Sequence, residues 1–338
     1  MSQDSNTNQD SNTNVAKKMQ AMMLPQFGGG DQFCLEEIER PSPGRGEVLV
    51  RIAGTSVNPV DAKARAGELL QMFPAERLPL LLGFDTSGRI EEVGTGVTDW
   101  QPGDVVYGFP GADPGTTMTF SRGTFAEYVC LRTDEIAAVP QSIPLADAGA
   151  IPLAAMTAWH GLMTQGEMQP GQRVLIQGGS GGVGHFAVQF AHRLGTTVYA
   201  TASGRNTEFL RELGADVAID YNTDQLNELA GQMDLVFDLA GGKTEEQSWA
   251  ALKPDGMLVL AAGQPNPALA RSPGQRSRFA MAQSTRDDLG RVARMFDDHQ
   301  LRLTISGRFA LEQVGEAQSQ LERGGSRGKL LVTVSQEA

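Results

Sequence analysis

A chain of 338 residues exceeds one ordinary core and predicts two domains, at roughly 100 to 200 residues each. Its hydrophobic share of 40% is that of a globular protein, while a net charge of −12 excludes the basic surface that a nucleic-acid partner requires. Two cysteines, Cys34 and Cys130, exclude a disulfide framework and a cysteine-rich zinc site, and they favour a reducing cytoplasm.

Residues 1–18 open on a repeated Gln-Asp-Ser-Asn-Thr-Asn without the basic start and apolar stretch of a signal peptide, and are expected to be a disordered tail. Short strands are predicted over residues 19–24, 47–53, 83–93, 104–108 and 123–129, with glycine and proline marking the corners of a small barrel. From residue 154 the rhythm changes to apolar runs alternating with amphipathic stretches, the pattern of a doubly wound parallel sheet. Strands are expected over 173–177, 197–201, 217–220, 235–239 and 257–262, and helices over 186–194, 206–213 and 287–299. The final strand, 329–334, is returned to the first domain. The division is therefore 19–153 with 303–338 for the first domain, and 154–302 for the second. No apolar run approaches the roughly 18 residues needed to cross a bilayer, so no membrane partner is expected.

The run 173–177 leads directly into Gly178-Gly-Ser-Gly-Gly-Val-Gly184 and then a helix. Gly179, Gly181 and Gly184 make G-x-G-x-x-G in strand-turn-helix context, a Rossmann dinucleotide motif. The first glycine serves the tight turn, the second lets backbone approach a diphosphate, and the third admits the helix against the strand. Ser180, Gly182 and Val183 complete the cofactor-binding loop, whose helix end offers unpaired amides to phosphate. A site for NAD expects an acid about 20 residues on, at the end of the second strand. This strand instead ends in Ser203 and Arg205, a hydroxyl and a guanidinium suited to a 2′-phosphate, so the cofactor is NADPH. The competing reading has Ser203 capping the next helix and Arg205 solvating a loop.

These stretches resemble the medium-chain dehydrogenase/reductase superfamily, and within it the zinc-independent quinone and enone reductases. Carrying the resemblance are Ser56-Val-Asn-Pro-Val-Asp-Ala-Lys63, Gly83-Phe-Asp-Thr-Ser-Gly88, Gly103-Asp-Val-Val-Tyr-Gly108, Gly123-Thr-Phe-Ala-Glu-Tyr128, Ala155-Met-Thr-Ala-Trp159, the glycine loop and Leu213-Gly-Ala-Asp216. The resemblance implies a GroES-like β-barrel catalytic domain formed from both chain ends, a Rossmann domain, a cleft between them and a homodimer. It places Asn58 at the nicotinamide end, where zinc enzymes of the superfamily carry a cysteine ligand, and sets Gly83-Phe-Asp85 in place of their Gly-His-Glu. It puts Lys63 near the nicotinamide ribose, to orient it or relay a proton; a solvated lysine on a short helix is the equal alternative. Thr157 resembles a position near diphosphate and nicotinamide, Tyr221 one beside the adenosine 2′-phosphate, and Lys329 one near the cofactor. Asp61 reads first as a helix cap, and Tyr107 and Tyr128 as packed rings.

The four histidines lack H-x-x-x-H spacing and nearby cysteines, so no metal is expected. Without a Lewis acid, the easier chemistry is hydride addition to a quinone or to the C=C bond of an α,β-unsaturated carbonyl, where charge spreads over a conjugated oxygen. The alternative is a non-catalytic protein that holds NADPH as structure or sensor. An enoyl reductase of a carrier-protein system ranks below both.

Overall fold

The protein, a computed structural model, is described over residues 17–116, 118–222 and 224–335. The tail expected over residues 1–18 lies, up to residue 16, outside the described residues. Lys18 is no part of a tail: it starts a strand and pairs with Glu39.

Six parallel strands make one sheet, in spatial order Val217–Asp220, Thr197–Ala202, Arg173–Gln177, Met233–Asp238, Leu252–Leu260 and Arg276–Phe279. Numbered along the chain this is 3-2-1-4-5-6, the dinucleotide-binding order. The first strand is central in that order, and its Val174, Leu175 and Ile176 are wholly buried because both faces of the sheet are covered. Where the order reverses, between Arg173–Gln177 and Met233–Asp238, a crevice opens at the carboxyl ends of the strands.

The covering helices show why these segments fold as they do. In Arg286–Asp297 the Thr285 hydroxyl caps the start by accepting from the Asp288 amide, and Leu289, Val292, Ala293 and Phe296 form one buried stripe. Phe296 meets Phe186 of helix Gly184–Arg193 edge to face at 6.2 Å.

The second large sheet runs Ile305–Ala310, Lys329–Thr333, Glu47–Ser56, Thr86–Val93, Val105–Gly108 and Ile136–Ala138, with Tyr128–Arg132 also pairing Glu47–Ser56. Both chain ends build it, since Leu331 pairs with Ser56. A three-stranded sheet of Cys34–Glu39, Lys18–Leu24 and Leu80–Leu81 completes the β structure.

The strand expected over 123–129 is corrected to Tyr128–Arg132. The residues before it are held as a loop, because the Thr124 and Phe125 amides donate to the Leu82 carbonyl and Ala126 makes a single bridge to Ala21. Tyr107 and Tyr128 are packed rings: the Tyr107 hydroxyl donates to the Leu289 carbonyl at 2.6 Å, and the Arg40 guanidinium covers the Tyr128 ring. Asp61 caps helix Pro59–Arg65, its Oδ2 accepting from the Asn58 amide at 2.8 Å.

Candidate cofactor cleft

A cleft of about 360 Å³ lies between the glycine loop on one side and the segments around Asn58 and Lys329 on the other. The three motif glycines play separable parts. A Cβ on Gly184 would stand 2.2 Å from the Gly178 carbonyl oxygen, so only glycine lets the helix start against the strand. A Cβ on Gly179 would meet Leu210 at 3.0 Å and Ala200 at 3.1 Å. One on Gly181 would meet nothing nearer than 3.6 Å, so that residue is bare on an open side. The amides of Ser180, Gly182 and Val183 donate to no backbone or side-chain acceptor among the described residues. Open backbone donors over an uncovered glycine fit a diphosphate group.

At the end of Thr197–Ala202, the Ser203 hydroxyl is buried without a partner and makes no cap bond to the following turn. The capping alternative is therefore set aside, and a buried orphan hydroxyl on the cleft wall fits a ligand oxygen. Arg205 is exposed and donates to the Gly325 carbonyl at 3.2 Å. Residues 324–328 form a strap beside it: Arg327 donates to the Arg205 carbonyl at 2.6 Å and to Asn206 Oδ1 at 2.7 Å, and the Gly328 amide to the Ser180 carbonyl at 2.9 Å. Tyr221 lines the cleft with its ring half exposed. Asp220 stands close by, its Oδ2 2.5 Å from where a Gly204 Cβ would be and its Oδ1 accepting from Asn222.

On the facing wall the polar groups are spent on one another. Asn58 Nδ2 donates to Asp85 Oδ2 at 2.8 Å, and Ser56 Oγ donates to the same oxygen. Lys329, buried, donates to Asn58 Oδ1, to Asp85 Oδ2 at 3.3 Å and to the Val57 carbonyl at 3.4 Å. Lys329 thus lines the cleft with its stem while its ammonium serves the wall. Burial raises the Asp61 carboxyl to about 7 against the pull of the Asn58 amide; Asp85 adds to the rise and Lys329 opposes it.

Lys63 and Thr157 are absent from the cleft lining. The Lys63 ammonium donates to the Ala262 carbonyl at 3.0 Å, just past the carboxyl end of Leu252–Leu260, and the Thr157 hydroxyl donates back to Leu153 of its own helix at 2.7 Å. Beneath the loop His185 is fully buried, with Nδ1 3.1 Å from the Gly181 carbonyl and Nε2 unpartnered; burial lowers its pKa to about 4. A second depression, of about 440 Å³, collects Arg193, Arg211 and Arg302. Arg193 and Arg211 close the last turns of two helices, where cations complement the carbonyl ends.

Sequence reasoning missed Asn206, Asp220 and Arg327 as members of this region, and it set Ser56 and Asp85 in family segments without giving either a role. For Asp85 one local signal existed, an acid in a segment of otherwise small and apolar residues. Among the described residues no group of three or more His, Cys, Asp or Glu side chains could hold a metal. Asn58 and Phe84 stand where the resemblance puts zinc ligands, and neither supplies a thiolate or imidazole.

Residues 44–141 match the alcohol dehydrogenase GroES-like domain, and residues 213–332 match a family described as zinc-binding dehydrogenase. The chain is 32% identical to the chloroplastic NADPH-dependent alkenal/one oxidoreductase of Arabidopsis thaliana, over 96% of this chain and 82% of that one. It is 32% identical to 2-methylene-furan-3-one reductase of Solanum lycopersicum, over 94% and 80%. The quinone oxidoreductase of Coxiella burnetii superposes with a TM-score of 0.85 at 33% identity, covering 94% of this chain and all of that one. The fold and the cleft define a two-domain nucleotide-dependent dehydrogenase. The chain belongs to the medium-chain dehydrogenase/reductase family, in its zinc-independent quinone and enone reductase branch.

Proposed function

We propose that this chain is an NADPH-dependent oxidoreductase that transfers hydride to quinones or to the C=C bond of α,β-unsaturated carbonyls. The observation that carries the cofactor choice is the pairing of an unpartnered buried Ser203 hydroxyl with Arg205 at the end of the second strand. Bound in this cleft, NADPH would supply hydride chemistry, reducing the β-carbon of an enone or a quinone ring. The chain's part is alignment. Gly179, Gly181 and Gly184 with Ser180, Gly182 and Val183 hold the diphosphate; Ser203, Arg205 and Tyr221 take the adenosine end; Asn58 and Lys329 stand toward the nicotinamide, while Thr157, its hydroxyl held by Leu153, makes no direct contact there. Lys63, whose ammonium reaches the Ala262 carbonyl just past the carboxyl end of Leu252–Leu260, orients the ribose or passes a proton.

The relatives are named as reductases and oxidoreductases acting on alkenals, enones and quinones, which supports turnover over passive cofactor storage. The two domains of the proposal are residues 19–153 with 303–338, and 154–302. We assign a homodimer, supported by the outer edge strand Arg276–Phe279, to which a second copy can add. Free Cys34 and Cys130 support a reducing compartment such as the cytoplasm. No helix among the described residues is long and apolar enough to cross a membrane.

The test is NADPH oxidation over a panel of quinones, linear enones and 2-alkenals, with Arg205→Ala alongside. Loss of one charge-assisted contact predicts a fall in the NADPH over NADH preference of roughly 10-fold to 100-fold. An unchanged preference refutes the assignment of Arg205, and wild-type inactivity on the whole panel refutes the reductase.

A further inference from the structure

One fully buried carboxylate, behind the Asn58 and Lys329 side of the cleft, has no part in the function above. Asp85 Oδ2 accepts from Ser56 Oγ, from Asn58 Nδ2 at 2.8 Å and from Lys329 Nζ at 3.3 Å, while Oδ1 accepts from the Leu153 amide at 2.6 Å. Donors from three distant stretches converge on it: the last residue of Glu47–Ser56 with the turn after it, the start of helix Pro152–Trp159, and the first residue of Lys329–Thr333. An acid placed only to neutralise Lys329 needs neither the Asn58 amide nor the helix, and an acid placed only to cap the helix needs no lysine.

Two consequences follow for the cleft. The Asn58 amide cannot turn over, because Nδ2 is fixed on Asp85 and Oδ1 on Lys329. The Lys329 stem runs against the glycine loop, with Cδ 2.9 Å from where a Gly182 Cβ would stand, and the preceding Gly328 amide bonds Ser180. Wherever Asp85 holds the ammonium, it therefore fixes the distance from the Asn58 wall to the loop.

We propose that Asp85 is a positioning residue for hydride transfer: by locking Asn58 and Lys329 together it sets the spacing between the wall that meets the nicotinamide and the loop that meets the diphosphate. This rests on reading the cleft as the NADPH site. The adenosine and diphosphate contacts lie on the loop side, so Asp85 governs where the nicotinamide sits and leaves overall affinity to the loop.

The experiment titrates NADPH into wild type, Asp85→Asn and the double variant Asp85→Asn/Lys329→Met, following the dihydronicotinamide emission and single-turnover hydride transfer to a quinone. The double variant leaves no buried charge without its partner, so it keeps the test alive if the single variant unfolds. Asp85→Asn is expected to hold NADPH with a Kd within about threefold of wild type. Its bound emission reverts toward that of free NADPH, and hydride transfer slows by roughly 10-fold to 100-fold, the scale of an ångström's misplacement. The double variant recovers the melting temperature and recovers neither emission nor rate. Wild-type emission and rate in either folded variant overturn the proposal, as does a loss of affinity in proportion to rate. A wild-type protein that binds NADPH but reduces no quinone or enone ends the reductase reading alone, because the emission comparison still decides the role of Asp85.

Discussion

The two walls of the cleft are built on opposite plans. The loop side leaves donors open: the Ser180, Gly182 and Val183 amides, and the Ser203 hydroxyl. On the Asn58 side the Asn58 amide, the Lys329 ammonium, the Ser56 hydroxyl and the Asp85 carboxylate satisfy one another before any ligand arrives. A wall with open donors can gain hydrogen bonds on binding, whereas a saturated wall can only hold shape. Affinity and alignment are thereby assigned to different sides of one cavity.

The largest expected effect breaks the saturated side. Lys329→Met strands the buried Asp85 carboxylate and should cost roughly 3–5 kcal/mol in urea unfolding, whereas the double variant with Asp85→Asn should regain most of it. A single-variant loss below about 1 kcal/mol would mean that the wall is not locked.

Titration separates the sides next. His185, under the loop, has its folded pKa lowered from 6.5 to about 4, so its contribution is fully present above 6.5 and is lost as pH falls toward 4. Asp61, behind Asn58, is raised from 3.8 to about 7, so its contribution is present below 3.8 and is lost as pH rises toward 7. Between about pH 4 and 6.5 the slopes oppose, each approaching 1.4 kcal/mol per pH unit. Asp61→Asn should therefore make stability climb with pH in that window, and His185→Gln should make it decline. Denaturant midpoints across the window check both, and parallel profiles for the two variants would contradict the assignment.

The smallest effects sharpen the open side. Gly184→Ala forces a Cβ into backbone and should cost about 1–3 kcal/mol of stability. Gly181→Ala has room in the unliganded protein, so the melting point should hold while NADPH affinity drops by roughly 10-fold or more. Calorimetry and thermal melts distinguish the pair, and equal melting losses would show that Gly181 is no window onto the cleft.

How much of this could be read beforehand follows the same division. Five of the six parallel strands were visible, because apolar runs such as Arg173–Gln177 and Met233–Asp238, largely buried inside the sheet, announce themselves. Two charged edge strands were not visible: Cys34–Glu39 carries three glutamates and Arg276–Phe279 two arginines, so they read as loop. The glycine loop and Ser203 were accessible because their partners are local. The resemblance set Asp85 in a site segment, but its network was not accessible, since its contacts sit 27, 68 and 244 residues away and no periodicity encodes such distances. The same holds for Arg327, which reaches across 121 residues to Asn206.

The pairing of Leu331 with Ser56 has a bearing on biosynthesis. The strand that finishes the second large sheet leaves the ribosome only after the whole nucleotide-binding half, so the amino-terminal strands wait, unsealed, through the translation of that half. That half has all six strands of its own sheet between residues 173 and 279 and can form on the nascent chain, whereas the wall carrying Asn58 gains its lysine only once residue 329 has emerged.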